Sequence, residues 1–274
     1  MFISAKQIMC NVAHYLVRAK YVWGALKQLR RVIDQGEVVS MQPFGRALDH
    51  SLRNARYDPS SGSAVWIEED YCSPPLAMER KAVLDQYFYI EEVVSVNPAE
   101  GWKTIAHFPS LWTPLLGLPQ RKGERPLTRR CMPHQQLTQN PPAHVYKTLA
   151  DRIFSLPGVR DDVSIVSVPR ARALVLEPSL ALGPPTAFIF NSTEFAHLHP
   201  PYDSSLHLSL PEPWAAEVTV KGWGEPHPLA GKLVADNYLM VYAPRNEEEV
   251  ETIYEIVLLS YWWARGHPVP HNPS

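Results

Sequence analysis

Cysteine is scarce in this chain of 274 residues, where it occurs three times, at Cys10, Cys72 and Cys131, and never as a CxxC pair. Three widely spaced cysteines do not make a disulfide framework, and they favour a reducing compartment. We therefore expect a cytoplasmic protein.

Long apolar runs and a strong charge of one sign are also missing. No stretch approaches the roughly 20 apolar residues that cross a bilayer, and the chain does not begin like a secretory signal. The formal net charge is −2, and the basic residues between Arg121 and Arg130 are interrupted by glutamate and proline, which predicts a solvated loop. We expect no transmembrane span and no nucleic-acid partner.

Several cofactor and catalytic motifs are absent as well. The chain has no GxGxxG after a strand, no GxxxxGK[ST], no HExxH and no GxSxG. Their absence argues against a nucleotide, nicotinamide or flavin enzyme and against the common serine-hydrolase signature. Any enzyme here is expected to work without an organic cofactor, whereas a divalent metal stays open.

The residues that are present indicate a globular α+β protein, with 45% hydrophobic and 20% charged residues. Apolar residues at helical period predict a helix up to about Ile33, and a second helix within residues 76–94. We expect residues 1–114 to be a helical and irregular extension packed on the body, and residues 115–274 to be an α+β domain. The first helix could instead associate with a membrane surface or form a homodimer.

The second half of the chain predicts an antiparallel sheet flanked by helices. Val145, Leu149 and Ile153 lie at helical spacing, and Asn246 caps a last helix that should cover one face of the sheet. Because the strand candidates are short and closely spaced, antiparallel pairing is expected. These candidates are residues 163–168, 173–176, 187–190, 206–210, 218–221 and 239–242.

Titratable side chains concentrate in residues 194–210. On an extended strand His197 and His199 point to the same face, and a turn over residues 200–203 could bring His207 back to them, on a face that the sequence leaves open. Four interpretations compete: acid–base catalysis, metal binding through the HxH pair, substrate positioning, and structural histidines.

A second cluster surrounds His227, which two prolines hold rigidly. Trp223 could stack on a flat ligand, and Glu225 could orient a histidine. The alternative is a packed structural turn. Upstream, Arg125 and His134 could supply hydrogen-bond donors, unless they lie in a solvated loop.

Three motifs together carry a family resemblance. The sequences AHLHPPYDSSLHLSL, KGWGEPHPLAG and YAPRNEEE, in this order and before a helix, resemble the fungal luciferase family, as does the looser pair GERP and PHQQ. The resemblance covers roughly residues 115–265, and the first hundred residues match poorly. It places six residues on family motif positions: His197, His199, His207, Trp223, His227 and Arg245.

The resemblance implies a flat, electron-rich substrate. Luminous members of the family oxidise a hydroxylated styryl-pyrone with O₂, lose CO₂ and emit light, without flavin or nucleotide. This chain resembles a non-luminous member that acts in fungal secondary metabolism on an aromatic or polyketide phenol or enol.

These observations together predict a cofactor-free enzyme that carries out cyclisation or isomerisation by acid–base chemistry. Luciferase-type oxygenation with decarboxylation, a non-catalytic small-molecule carrier and a structural metal protein are the alternatives. The predicted acid–base residues are His197, His199, His207 and His227. The predicted substrate-binding and orienting residues are Arg125, His134, Glu194, Tyr202, Asp203, Trp223, Glu225 and Arg245.

Overall fold

The chain divides into two compact units after Trp112. The structure, a computed structural model, describes residues 12–190 and 192–272. Unit 1 ends at Trp112 and unit 2 begins at Thr113. The sequence analysis predicts this boundary two residues later, after residue 114.

Unit 1 contains a four-stranded antiparallel sheet in the order β2–β3–β1–β4. Its strands are β1 (Ala13–Tyr21), β2 (Arg56–Asp58), β3 (Ser63–Asp70) and β4 (Phe88–Ser95). Strand β3 is buried along almost its whole length, and Trp66 on it is fully covered. Its central place explains this burial, because a strand with neighbours on both edges and helices on a face meets little solvent.

Short helices complete unit 1. They are α1 (Trp23–Asp34), α2 (Glu37–Ser40), α3 (Gly45–Arg53), α4 (Ala77–Glu79), a π-helical turn (Arg80–Leu84), α5 (Asp85–Tyr87) and α6 (Pro98–Ile105). Helix α6 is capped at its start, because the Asn97 side chain accepts hydrogen bonds from the Ala99 and Glu100 amides and Pro98 occupies the first turn.

The predicted helical N-terminal extension does not appear in this form. Residues 13–21 form strand β1, which pairs with β3 on one edge and with β4 on the other, and helix α1 begins only at Trp23. Pairing on both edges outweighs the helical spacing of the apolar residues. The start of the predicted helix, with Cys10, lies outside the described residues.

The second predicted helix, within residues 76–94, is also only half helical. Helical turns end at Tyr87, and β4 starts at Phe88. The run FYIEEVVS is rich in aromatic and β-branched residues, which favour a strand when an edge is available for pairing.

Unit 2 contains a six-stranded antiparallel sheet in the order β11–β12–β10–β9–β8–β7, and a two-stranded hairpin of β5 and β6. The hairpin strands are β5 (Thr128–Arg129) and β6 (Gln135–Gln136). The sheet strands are β7 (Val159–Val163), β8 (Arg172–Leu176), β9 (Glu194–Leu198), β10 (Leu206–Ser209), β11 (Gly224–Pro226) and β12 (Tyr238–Val241). The predicted antiparallel α+β class is confirmed.

The helices of unit 2 are α7 (Thr113–Leu116), α8 (Ala143–Phe154), a 3₁₀ turn (Pro185–Ala187), α9 (Glu212–Val220) and α10 (Glu247–Ala264). Helix α10 confirms the predicted capped helix, since Asn246 Oδ1 accepts a hydrogen bond of 2.9 Å from the Glu249 amide. It packs on β9 and β10, where Ser260 Oγ donates to the Ser209 carbonyl at 2.7 Å. None of the helices in the described ranges is long and apolar enough to span a membrane.

Three strand predictions for unit 2 are wrong. The strand expected at 163–168 ends at Val163, and residues 187–190 form a turn and bends. Residues 218–221 mostly belong to helix α9, whose Trp214 and Val218 are fully buried. Burial of one helical face there outweighs the strand preference of Val218, Thr219 and Val220.

Candidate active site

The histidines of β9 and β10 lie on one face of the sheet. His197 and His207 are directly opposite each other in the antiparallel pair. His199 follows two residues after His197, and their rings stack with centroids 5.5 Å apart. Because cross-strand partners share a face and side chains alternate, all three imidazoles meet. This places His207 on the face that the sequence could not assign.

A β-bulge adds Glu194 to the same face. The pairing of β8 with β9 shifts register between Leu174 and Val175, next to Phe195. The extra residue reverses the alternation, so that Phe195 packs toward Tyr261 of α10, with ring centroids 6.1 Å apart. Glu194 Oε1 instead lies 2.7 Å from His197 Nδ1.

Strand β11 and the β5–β6 hairpin supply the remaining members. Glu225 of β11 and His207 of β10 both pair with Met240 of β12, so they share one face, and His227 follows Glu225 by two residues. The hairpin brings His134, which is 2% exposed, to within 3.1 Å of His207, measured from Nδ1 to Nε2. The predicted solvated-loop alternative for His134 therefore does not hold.

The five imidazoles border one cavity of about 400 Å³. Its wall is mainly apolar, so the histidines are the chief polar groups that a ligand would meet. The lining residues are Met132, Pro133, His134, Val166, Ser167, Val168, Pro169, Ile189, Phe190, His197, His199, His207, His227, Leu229, Val234 and Tyr238. An apolar pocket with a few convergent polar groups is the usual form of a small-molecule site.

A continuous hydrogen-bonded chain runs through the site. From Glu194 it passes to His197 at 2.7 Å, to His207 at 3.1 Å, to His134 at 3.1 Å and to Glu225 at 2.8 Å. A carboxylate therefore closes the chain at each end. We name this set, Glu194–His197–His207–His134–Glu225, the histidine relay.

The relay holds one more proton than three neutral imidazoles supply. Each neutral imidazole carries a single N–H, whereas the four hydrogen bonds between two carboxylates need four protons. The fourth proton therefore either makes one ring an imidazolium or belongs to the Glu194 carboxyl group, which could itself donate to His197. If His207 changes tautomer, the positive charge passes between His197 and His134.

Burial determines which imidazole of the relay is least stable when it carries the extra positive charge. Desolvation, followed by the charges of neighbouring histidines, holds the pKa of His207 well below its ordinary value. Desolvation also lowers the pKa of His197, although the Glu194 carboxylate opposes this effect. The central ring is thus the poorest place for the charge, which favours an end ring beside a glutamate.

Glu225 is held as an anion at its end of the relay. Burial would raise its pKa, but hydrogen bonds from His134, Thr128 and Tyr242 bring the pKa below the ordinary value. The Tyr242 hydroxyl donates to Glu225 Oε2 at 3.0 Å. A fixed anion at this position favours proton transfer toward His134.

His227 lies beside the relay in a fixed tautomer. The Leu229 amide donates to His227 Nδ1 at 3.2 Å, so Nδ1 carries the lone pair and the proton is on Nε2. Desolvation and the neighbouring histidines lower the pKa of His227 to about 4, so the ring is neutral near pH 7. His227 can therefore donate a hydrogen bond to a ligand without carrying charge.

His199 has the opposite orientation. Its Nδ1 donates to Asp203 Oδ2 at 2.5 Å, which leaves the lone pair on Nε2, where the Ser167 hydroxyl donates at 3.0 Å. Burial would raise the pKa of Asp203, but hydrogen bonds from His199 and Ser205 lower it. The ionised Asp203 makes His199 Nε2 a base on the cavity wall.

Among the residues that the structure describes, three groups have ligand atoms close enough to bind a metal ion, within 4.8 Å of one another. The groups are His134, His207 and His227; His197, His199 and His207; and, in unit 1, Asp70, Cys72 and Glu79. Imidazoles at this spacing suit Zn, Cu or Fe. However, His227 Nε2 bears a proton, and the nitrogens of the second group are engaged in hydrogen bonds. A metal would fit the histidines only by replacing these bonds.

Four predicted binding residues lie away from the cavity. Trp223 is 4% exposed and donates through Nε1 to the Pro119 carbonyl at 2.6 Å, so the structure does not offer it as a stacking wall. Tyr202 is exposed in the turn after His199. Arg125 donates to the Thr219 carbonyl at 2.8 Å, and Arg245 pairs with Glu249.

The basic segment that includes Arg125 is only partly solvated. Arg121 is 5% exposed and donates to the Glu124 carbonyl and to Gln139 Oε1, both at 2.9 Å. The expectation of a solvated loop is therefore wrong for Arg121, because the loop folds around this guanidinium. Lys122 and Arg125 are exposed as predicted.

Sequence reasoning missed four polar residues of the site. Ser164 donates to Glu194 Oε1 at 2.8 Å, and Ser167 contacts His199. Tyr242 supports Glu225, and Tyr238 lines the cavity. Ser164 and Ser167 lie within residues 163–168, which the sequence predicts as a strand. Two serines in so short a segment, with no long apolar run, are the signal that could have indicated a loop.

Fold and cavity together define an antiparallel α+β protein with a buried histidine site for a small ligand. The family model described as Luciferase domain matches residues 192–260, from the start of β9 into α10. Luciferases of Armillaria gallica and Neonothopanus nambi are 33% and 32% identical to this chain over 172 and 169 residues. Residues 192–260 therefore match a luciferase domain, and the chain is similar to fungal luciferases over the aligned part.

The similarity covers only part of this chain and only part of each relative. The alignments cover 57% and 56% of this chain, and 64% and 63% of the two relatives. The chain therefore matches less than two thirds of the length of these relatives. No solved structure matches it.

Proposed function

We propose that this chain is an enzyme, free of organic cofactors, that cyclises or isomerises a flat phenolic or enolic polyketide or pyrone by acid–base chemistry. The observation that carries the proposal is the histidine relay bordering an apolar cavity of about 400 Å³. Acid–base catalysis needs groups that hold protons in both directions near the operating pH, which imidazoles do.

The cavity suits the shape and polarity of such a substrate. Ile189, Phe190 and Leu229 offer apolar surface to an unsaturated ring, while the histidines meet its oxygen atoms. His227 donates from Nε2 to a carbonyl or developing enolate, and His199 accepts at Nε2 from a substrate hydroxyl that takes the place of the Ser167 hydroxyl. A donor and an acceptor of this kind favour the enolate over the neutral ketone.

Proton movement then follows from the relay. His199 removes a proton from the substrate hydroxyl, and Asp203 stabilises the resulting imidazolium. The excess proton of the relay reaches a substrate carbon when His197 or His134 exchanges one of its relay hydrogen bonds for the substrate, with His207 changing tautomer between them. Loss of one proton and gain of another, without change of mass, is cyclisation or isomerisation.

Luciferase-type oxygenation is the second candidate, and the names of the relatives favour it. An enolate formed at the same site could react with O₂ and lose CO₂, with no flavin or nucleotide. Both candidates share the deprotonation step, and they differ in the mass of the product.

The deciding experiment measures turnover of a panel of hydroxypyrones and polyketide phenols by mass spectrometry, with and without O₂. An isomeric product that forms equally well without O₂ supports the cyclase or isomerase. A product that contains oxygen from O₂, and forms only in air, replaces it with the oxygenase. Tight binding of the panel without any product would contradict both candidates and indicate a carrier.

The proposed reaction needs no metal ion. Enzyme treated with a chelator and freed of metal should retain at least about half of its turnover, since no proton step uses a Lewis acid. Loss of activity on chelation, with recovery on addition of Zn²⁺ or Fe²⁺, would instead assign the histidines to a metal.

A further inference from the structure

Ser167, His199 and Asp203 are connected as a nucleophile, a base and an orienting carboxylate. Ser167 Oγ lies 3.0 Å from His199 Nε2, and His199 Nδ1 lies 2.5 Å from Asp203 Oδ2. These distances lie at or near the range expected for an activated serine whose base is held by a third group. We propose that this set is a catalytic triad that gives the protein an ester- or lactone-hydrolysing activity.

The carboxylate of this set is firmly positioned. Asp203 is fully buried, and its Oδ1 accepts hydrogen bonds from Ser205 Oγ at 2.6 Å and from the amides of Ser205 and Gln136 at 3.2 Å. Oδ2 remains for His199. Because His199 is 1% exposed and its Nδ1 proton is directed at Asp203, the lone pair of Nε2 must face Ser167.

Ser167 is placed where a nucleophile would be reached. It is half-buried, lines the cavity, and lies in the loop between β7 and β8. Within residues 12–190 and 192–272, no acceptor is found for the backbone N–H groups of Ser167 and Val168. Amides of a nucleophilic residue and its successor are common donors to an oxyanion.

The reaction balances without any further reagent than water. Ser167 Oγ attacks the carbonyl carbon while its proton passes to His199 Nε2, and the imidazolium is stabilised by Asp203. The C–O bond of the ester breaks, His199 protonates the departing oxygen, and an acyl-serine remains. Water, deprotonated by His199, then releases the acid and restores Ser167. No oxidation or reduction occurs.

The cavity limits the ester to a flat, unsaturated one. Val166, Ile189 and Phe190 are apolar neighbours of the serine loop in the cavity wall. An aryl ester or an unsaturated lactone fits this surface, and a pyrone is itself such a lactone. The hydrolytic activity goes beyond the proposed isomerisation, and simple esters report it without any polyketide substrate.

The test uses a fluorophosphonate and p-nitrophenyl acetate on the full chain. We expect stoichiometric labelling that maps to Ser167, and a burst of one p-nitrophenol per chain. Ser167→Ala should abolish the label and lower ester hydrolysis at least 100-fold, and His199→Gln should slow labelling at least 100-fold. Ser155→Ala, at an exposed serine directly after α8, is the control that keeps the label.

A second variant, Ser167→Cys, tests the triad even if Ser167→Ala fails to fold. Ser167→Cys should exchange phosphonate labelling for rapid alkylation of the introduced thiol by iodoacetamide, located by mass spectrometry, since His199 promotes the thiolate. Label at another residue, or ester hydrolysis unchanged in Ser167→Ala, would overturn the triad. Conversion of phenols to isomers would still stand in that case, whereas a labelled, hydrolytic protein that leaves pyrones and phenols unchanged would overturn only the isomerase.

Discussion

Among the described residues, unit 1 buries the carboxyl groups of Asp58, Glu68, Asp70 and Glu79, whereas unit 2 buries five imidazoles around one cavity. Glu68 and Glu79 are 0% and 1% exposed. Glu68 Oε2 accepts from Trp66 Nε1 at 3.0 Å, but its Oε1 has no hydrogen-bond partner among the described residues. In unit 2, both nitrogens of His197, His207 and His134 have partners.

Because of this difference, Glu68 can only bind a proton, whereas the linked imidazoles of unit 2 can also transfer one. Burial, and then the Glu79 charge, raises the pKa of Glu68 well above its ordinary value, which favours the protonated form of Glu68. The imidazoles of unit 2 are instead linked to one another, and they border an accessible cavity. Burial of ionisable groups is therefore not itself a sign of catalysis, whereas their connection to a cavity is.

The largest effect is expected from a charge in the core behind the sheet of unit 2. Ile253 on α10 is fully buried, so Ile253→Asp would bury an unpaired carboxylate and should lower the free energy of unfolding by more than about 4 kcal/mol. Denaturant unfolding followed by tryptophan fluorescence measures this change. Thr252→Asp, on the partly exposed side of the same helix, should change it by less than about 1 kcal/mol.

The next largest effect should come from cutting the relay at its centre. His207→Phe keeps an aromatic ring but removes both internal hydrogen bonds, and turnover should fall by about 10²–10⁴. His144→Phe, the same change at an exposed position of α8, should leave turnover unaltered. Equal turnover of the two variants, both with native far-UV circular dichroism, would remove His207 from the reaction.

The buried histidines should make the protein sensitive to acid. The pKa of His227 falls from 6.5 to about 4 on folding, so below pH 6.5 the unfolded chain takes up a proton that the folded chain refuses. Stability should decline as pH falls from 6.5 to 4, by at most about 3 kcal/mol for this residue. Denaturation at pH 7.5 and pH 5 should show a smaller difference for His227→Asn than for the wild type, while His144→Asn should match the wild type.

Glu68 should also make the stability of the protein depend on pH, but more weakly than His227 does and with the opposite sign. Its pKa is raised on folding, so its contribution to stability is greatest below the unfolded pKa near 4.5 and is lost as pH rises. Glu68→Gln should flatten this loss and stabilise the protein at pH 8 by about 1 kcal/mol, since the amide carries no charge and keeps an acceptor for Trp66. Glu69→Gln, on the neighbouring and more exposed residue, is the control, and an equal change in both variants would contradict this account of Glu68.

Local signals were strong enough to predict several elements. Asn246 followed by three glutamates and an apolar stripe specifies α10, because capping, dipole and burial agree. The alternation of His197 and His199 placed both on one face. By contrast, residues 13–21 and 88–95 carry patterns compatible with a helix, and pairing partners distant in sequence made them strands.

The residue types of the candidate site and the resemblance to fungal luciferases were readable from the linear chain, because the histidines lie in long, specific motifs. Their connectivity was not readable. The bulge at Phe195 turns Glu194 toward His197, and a hairpin brings His134 to His207 from 73 residues away in the sequence. Tyr242, Ser164 and Ser167 join the site in the same way. A hydrogen bond depends on the position of two atoms in space, and register, bulges and loop closure, which set that position, arise only when the strands pair.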